Sequence, residues 1–146
     1  MDELTEPEKA YIAGIIDGEG SITIANHKQR YKDKVYRSYR LVIQVGNNDI
    51  GLIDWLHSLG GCVTRRPLPS GKVSYNWVVE SRIAGFLLGQ LLPYLRIRKR
   101  QAEAAILFQS KRRHNGRAGK PSEDKAFDET LREIVSPNVD SIWGGK

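Results

Sequence analysis

Three stretches of the chain alternate apolar and polar residues, the pattern of β-strands that bury one face. They cover residues 21–30, 35–46 and 72–80, and a polar join at residues 30–34 predicts a hairpin between the first two. Residues 62–67 and the turn-rich sequence LPSG complete a second hairpin with the third stretch. The apolar face of the second stretch consists of Val35, Tyr39, Leu41, Ile43 and Val45, with Val42 as an apolar exception on the polar face.

Helical spacing of apolar residues predicts five helices around these strands. The first begins after Thr5, a possible N-cap, and ends at Gly18 and Gly20. The second runs to Leu59 with Ile50, Ile53, Leu56 and Leu59 as its apolar stripe, behind one of three possible N-caps, Asn47, Asn48 or Asp49. The others cover residues 83–92, 99–112 and 122–135. This order predicts an α+β fold in which helices back a four-stranded antiparallel sheet (αββαββα plus C-terminal helices).

The end of the first helix has two features that an ordinary helix avoids. Ala13, Gly14 and Gly18 are small residues at helical spacing, which lets another helix approach closely although a mid-helix Gly destabilises by about 1 kcal/mol. Asp17 and Glu19 lie at the C-terminal end, where the helix dipole disfavours carboxylates. Together these features predict two closely packed helices with acidic side chains at the C-terminal end of the pair.

This stretch resembles the LAGLIDADG homing endonucleases. Residues 12–20 read IAGIIDGEG and keep the small-residue core and both acids of the family motif, with Glu in place of Asp at the second acid. Residues 41–45 (LVIQV) and 95–102 (LRIRKRQA) are also similar to the family and occur in the right order. The resemblance therefore extends over residues 7–109, most of the chain.

The resemblance implies a saddle-shaped sheet whose concave face lies along double-stranded DNA, and Mg²⁺-dependent cleavage of that DNA. Because the chain carries one motif, the family likeness also implies a homodimer through Ala13, Gly14 and Gly18 that acts on a nearly palindromic site. We take residues 7–112 as the endonuclease core, and residues 113–146 as a basic loop, helix and tail of the same domain.

The same resemblance assigns roles to individual residues. Glu19 is the expected metal ligand with the backbone carbonyl of Gly18 beside it. Asp17 is the less favoured metal ligand, and its preferred role is to stabilise the helix end or junction. Asn47 falls where the family often has Gln and is expected to position the water network. Arg98 falls where the family often has Lys; since arginine does not deprotonate, it can stabilise phosphate charge but cannot act as a general base.

Polar side chains on the second face of the predicted sheet are candidates for DNA contacts. A ten-residue strand is roughly 33 Å long, about one turn of duplex, so such strands can follow a groove. The candidates are Thr23, His27, Gln29, Ser38, Arg40, Gln44, Thr64, Arg66, Lys72, Ser74 and Asn76. Any solvated sheet face carries residues of this kind, so their chemistry alone does not establish DNA binding.

The distribution of charge along the chain distinguishes a DNA-binding surface from an ordinary solvated one better than the net charge of +6 does. Residues 1–20 carry −5, residues 21–117 carry +13 and residues 118–146 carry −2. The positive charge is concentrated in the segment that contains all four predicted strands, as expected of a phosphate-binding surface.

Length and composition bound the remaining possibilities. A chain of 146 residues is the size of one domain, and Cys62 is its only cysteine, which favours a reducing intracellular location without disulfides. No apolar run reaches membrane-spanning length and the N-terminus is acidic, so we expect neither a membrane partner nor a signal peptide. Bacterial or archaeal cytoplasm and an organelle are equally compatible with this pattern.

Two other classes of protein are alternatives to a nuclease of this type: a protein with a histidine–metal or zinc site, and a nucleic-acid binder without catalytic activity. His27, His57 and His114 are scattered, which disfavours a histidine–metal nuclease or a zinc finger. A non-catalytic nucleic-acid binder, such as an intron RNA maturase or a DNA-binding regulator, remains the alternative from another class. The intact acids at positions 17 and 19 favour the enzyme.

Overall fold

One antiparallel sheet with the strand order β1-β2-β4-β3 forms the centre of the computed structural model of this chain. The strands are β1 (Gly20–Tyr31), β2 (Lys34–Asn47), β3 (Cys62–Pro67) and β4 (Val73–Glu80). The helices are α1 (Glu6–Glu19), α2 (Ile50–Ser58), α3 (Ser81–Leu91), α4 (Lys99–Lys111) and α5 (Ser122–Val135), with a 3-10 turn at Leu92–Tyr94. The structure describes residues 1–111 and 122–135, except the side chains of residues 27, 29, 36, 37 and 122–126. The predicted basic loop with His114 and the tail after residue 135 lie outside the described residues.

The five helices bury one face of the sheet, which confirms the predicted α+β architecture. Ile22, Ile43 and Trp77 come from three neighbouring strands and are at most 3% exposed. They share one core with Ile12 of α1, Leu56 of α2, Leu88 of α3 and Phe108 of α4. Leu131 and Val135 of α5 join the same core, and the Tyr39 hydroxyl donates to Glu129 at 3.0 Å. The last helix therefore packs on the body formed by the others.

The ends of two elements depart from the predicted pattern. Val35 is 57% exposed and Ile50 is 50% exposed, although both were expected on a buried face. Val35 is the second residue after the tight Lys32-Asp33 turn, near the tip of the long hairpin, and Ile50 is the first residue of α2. Alternation and helical spacing report which face a residue is on, but not whether other residues cover that face near an end.

The local signals at the helix starts are confirmed, and one at a helix end is corrected. Thr5 accepts from the Glu8 amide at 3.3 Å and the Glu8 carboxylate accepts from the Thr5 amide at 2.9 Å, a complete capping box. Asp49 is the N-cap of α2, since its side chain accepts from the Leu52 amide at 3.0 Å. Contrary to expectation, Gly18 does not end α1, which continues to Glu19 before the chain enters β1 at Gly20.

Candidate functional site

The C-terminal end of α1 reaches the sheet at the point where β2 ends. There the Asn47 side-chain amide donates to the Glu19 carboxylate, with 2.8 Å between Nδ2 and Oε2. The other end of the same amide accepts from the Asp49 backbone N–H at 2.8 Å, which fixes the orientation of the Asn47 side chain. Because Asp49 is the N-cap of α2, the Asn47 side chain is free of the capping role and faces the acid. Two residues that the sequence only separately suggested are thus in direct contact.

Asp17 faces the opposite way and holds the segment between the 3-10 turn and α4. Its two carboxylate oxygens accept from the backbone N–H groups of Arg96 at 2.8 Å and Arg98 at 3.0 Å. Burial raises the pKa of this carboxyl, but the N–H groups of Arg96, Arg98 and Ile97 and the charge of Arg98 outweigh that effect, so the pKa lies below its usual value. Asp17 therefore stabilises the connection between the 3-10 turn and α4 through hydrogen bonds within its own chain.

Arg98 lies against the end of α1. Its side-chain Nε donates at 2.9 Å to the Ile16 carbonyl, which also accepts from the Gly20 backbone N–H at the end of α1. A cation at this position also offsets the unfavourable interaction between the helix dipole and the two acids. The contact involves Nε, so the guanidinium retains its terminal N–H donors.

The oxygen atoms available at this foot suit a hard divalent cation. Glu19 is exposed, and the carbonyl of Gly18 lies in the last turn of α1, where helical carbonyls have no intrahelical partner. Within residues 1–111 and 122–135, no cluster of three or more His, Cys, Asp or Glu side chains could bind a metal by itself.

The predicted DNA-contacting residues fall on one face of the sheet. Strand pairing places Gln44 opposite Ser21, Thr64 opposite Asn76 and Arg66 opposite Ser74, and paired residues share a face. The same register puts Thr23, Ser38 and Arg40 on that face, together with the backbone positions of His27 and Gln29. Lys72 lies in the turn just before β4. This face, opposite the helices, is called the open face below.

Two side-chain pairs link strands across the open face. The Asn76 amide donates to Gln44 at 3.1 Å, and Arg40 forms an ion pair with Glu80, with 3.2 Å between Nε and Oε2. Val42 lies between Thr23 and Glu80 and is only 5% exposed, which accounts for an apolar residue on this face. Glu80 was not among the predicted residues. The signal that could have found it is its position as the only acid in the four described strands.

A strip of small residues runs along the outside of α1. Gly14 and Gly18 are exposed, and a Cβ atom added to either would meet nothing within 4 Å. Tyr11 continues the strip, is 56% exposed and contacts Trp55 edge-on at 5.6 Å between ring centroids. Ala13 is a correction to the predicted strip: it is fully buried in the core of its own chain, so its side chain is not on this surface.

A cavity on another part of the surface lies away from Glu19 and Asn47. A cavity of about 530 Å³ lies between α1 and α3, lined by residues such as Glu6, Phe86 and Tyr94, far along α1 from Glu19. Among the described helices, none combines the length and the apolar character needed to cross a bilayer.

Comparisons with known proteins point to one fold. Neither protein-family models nor curated proteins match the chain by sequence. Among solved structures, the homing endonuclease I-CvuI in complex with an uncleaved DNA target in the presence of Mg has a TM-score of 0.69 and 20% identity over 92% of this chain and 85% of that one. An archaeal intron-encoded homing endonuclease bound to DNA gives 0.64 and 16% over 91% and 87%. The LAGLIDADG homing endonuclease I-GzeII gives 0.62 and 16% over 92% of this chain, but only 47% of its own length. The structural neighbours of this chain are thus LAGLIDADG homing endonucleases, and it shares their fold.

Proposed function

We propose that this chain is a site-specific endonuclease that cleaves double-stranded DNA with the help of Mg²⁺ and acts as a homodimer. The observation that carries the proposal is the contact between Glu19 and Asn47, at the end of a helix that meets the sheet whose open face carries Arg40 and Arg66. DNA-bound homing endonucleases of the same fold support it. Such a protein would act wherever its target DNA is kept in the cell.

In this proposal Glu19 and the Gly18 carbonyl hold the metal together with phosphate oxygens of the DNA. When bound, Mg²⁺ lowers the pKa of water and neutralises charge on the reacting phosphate. Asn47 is the partner that keeps the Glu19 carboxylate directed away from its own helix, through a bond to one of the two oxygens. In this proposal Asp17 takes no part in the metal site, because its two oxygens accept from backbone N–H groups of the segment before α4.

Arg98 supplies a fixed positive charge beside this site. Its Nε bond to Ile16 sets the position of the guanidinium, and the remaining N–H groups are able to bind phosphate oxygens. Because the side chain stays charged at every accessible pH, proton abstraction must come from another group or from solvent.

Two copies of the chain are needed to cut both strands at one place. One chain provides one site of Glu19, Gly18 and Asn47, and the open strip of Gly14 and Gly18 lets a second α1 pack against the first. The two sites would then lie side by side, and each would act on one DNA strand.

Selection from a randomised duplex library tests the activity. We expect the chain to cleave a subset of sequences in Mg²⁺ and not in EDTA, and Glu19→Gln to remove cleavage while leaving duplex affinity within about 1 kcal/mol. The matched control is Glu133→Gln, which neutralises an exposed acid on α5 and is expected to cleave normally.

The outcomes separate the enzyme from the alternative function. Sequence-specific binding without cleavage in any divalent metal would instead indicate a DNA-binding regulator. Normal cleavage by Glu19→Gln would refute the assigned metal ligand.

A further inference from the structure

We propose that Glu80 is a specificity-determining residue, which holds Arg40 in position to read one guanine in each half-site. The inference deepens the proposed function and rests on it, since it needs DNA to lie along the open face. Glu80 is an acidic residue on the face proposed to bind the negatively charged DNA.

Glu80 is in an unfavourable place for a surface that binds phosphates. Of the Lys and Arg residues in the four strands, the register places Lys34, Arg40 and Arg66 on the open face, and Glu80 is the only acid in those strands. An acid here repels the DNA backbone and lowers affinity for every sequence. Nor does the ion pair offer much stability in return, because the side chains of Arg40 and Glu80 are 52% and 39% exposed and solvent screens such pairs.

The Glu80 side chain does not cap the helix that follows it. It is the N-cap residue of α3, yet no side-chain hydrogen bond caps that helix, and Ser, Thr, Asp or Asn serve better at this position. The next residue, Ser81, has a φ of +54°, which few residues other than glycine adopt. Such backbone conformations concentrate at functional sites. The carboxylate instead contacts Arg40 on the open face.

Pairing with Glu80 changes what Arg40 can recognise. An unpaired arginine is attracted to any phosphate, a contact without sequence information. The pair has nearly no net charge, so that attraction is reduced, while the directional N–H donors of the guanidinium remain. Because the structure joins Nε to Glu80, the two terminal nitrogens are left to form the paired bonds that guanine accepts through O6 and N7. Holding the long side chain in advance also lowers the entropy lost on binding.

The position of Arg40 limits which base pair it can reach. It lies seven residues before Asn47 on β2, roughly 23 Å at about 3.3 Å per residue. At about 3.4 Å per base-pair step, the guanine lies no more than about seven steps from the base pair beside Asn47.

The test measures affinity for every single-base-pair variant of a duplex selected by the full-length chain, without Mg²⁺ so that the DNA stays intact. We expect one position in each half-site to prefer guanine by roughly 10- to 100-fold. Glu80→Gln and Arg40→Ala should each reduce that preference to about 3-fold or less and leave other positions unchanged. The double variant should be no worse than Arg40→Ala alone, because both residues act through one contact. Glu80→Gln should also bind unrelated DNA more tightly and with a steeper salt dependence.

The controls make each result decisive. Glu133→Gln removes the same charge from the opposite side of the molecule and should match the wild type at every position. Arg40→Lys keeps the charge without the planar fork and should lose the guanine preference. Glu80→Ala removes the same ion pair and should reduce the preference in the same way, which keeps the role of Glu80 testable even if Glu80→Gln fails to fold. Unchanged discrimination in Glu80→Gln, with the preference lost in Arg40→Ala, would overturn the role of Glu80. A wild-type chain that selects no sequence would instead refute the proposed function itself, and this inference with it.

Discussion

Asp17 and Glu19 are two residues apart, carry the same chemistry and serve opposite purposes. Their separation of about half a helical turn directs Asp17 to the N–H groups of Arg96 and Arg98 and leaves Glu19 exposed beside Asn47. The sequence places both acids at the end of a helix but gives no reason to separate them. The separation depends on residues about 80 positions away in the chain, and in the sequence only the family resemblance anticipated it.

The inward acid leads to a prediction about stability and pH. Asp17→Asn keeps one acceptor oxygen and loses the charge, so it should destabilise the protein by about 1 kcal/mol at neutral pH. A carboxyl with a lowered pKa in the folded state stabilises above its unfolded pKa of about 4, and that contribution is lost as the pH falls through the folded value. Urea unfolding of both proteins should therefore show a difference at pH 7 that shrinks below about pH 4.

A control on a neighbouring helix isolates this effect. Asp54→Asn removes an exposed acid from α2 and should change stability little at any pH. A loss in Asp17→Asn that stays constant down to pH 3 would mean that the charge of Asp17 does not stabilise the segment before α4.

At the scale of elements, the sequence predicted strands and caps well, and junctions poorly. The capping box at Thr5, the limits of β3 and the span of α5 agree with the structure because each depends on local signals. Of the two glycines expected to end α1, Gly20 does so, whereas Gly18 lies inside the helix. In the structure the glycine that matters is Gly20, where helix and strand meet.

Gly20 is required because there is no room for a side chain. A Cβ atom added there would lie 2.9 Å from the Ile16 Cα and 3.1 Å from the Gln44 carbonyl oxygen, both backbone atoms. Gly20→Ala should therefore destabilise the fold by about 1–3 kcal/mol, as overpacking does. The matched control is Gly89→Ala in α3, where nothing lies within 4 Å and the helix should gain about 0.5–1 kcal/mol. Thermal unfolding of both variants checks the contrast, and equal stabilities would contradict it.

At the scale of the whole molecule, charge and small residues mark two different surfaces. The basic middle segment supplies the strands of the open face, as its charge predicted, whereas the acids at the foot of α1 lie at its edge. Pairings across that face were beyond reach from sequence, because Arg40 and Glu80 meet only through strand register. Ala13 was misplaced for a related reason: small residues at helical spacing do not reveal which of them the core of the same chain covers.

The exposed part of the small-residue strip decides whether the chain works alone. A strip with Gly14, Gly18 and a half-exposed Tyr11 leaves apolar and backbone surface in water unless another surface covers it. A second copy of α1 fits the proposed function, because each half of a two-fold target would then meet one open face. Half-sites should accordingly be inverted repeats.

Gly14→Leu tests this arrangement without touching a carboxylate. The leucine has room on the isolated chain, since nothing lies within 4 Å of an added Cβ, so the fold should persist. Between two closely packed helices it should clash, at a cost of about 1–3 kcal/mol or more, and convert a dimer into a monomer that no longer cleaves. Gly89→Leu places the same side chain at an equally open position on α3 and should remain dimeric and active. Light scattering with and without DNA, together with cleavage, distinguishes them. If the wild type is a monomer that cuts both strands of a non-palindromic site, the strip on α1 does not join two copies.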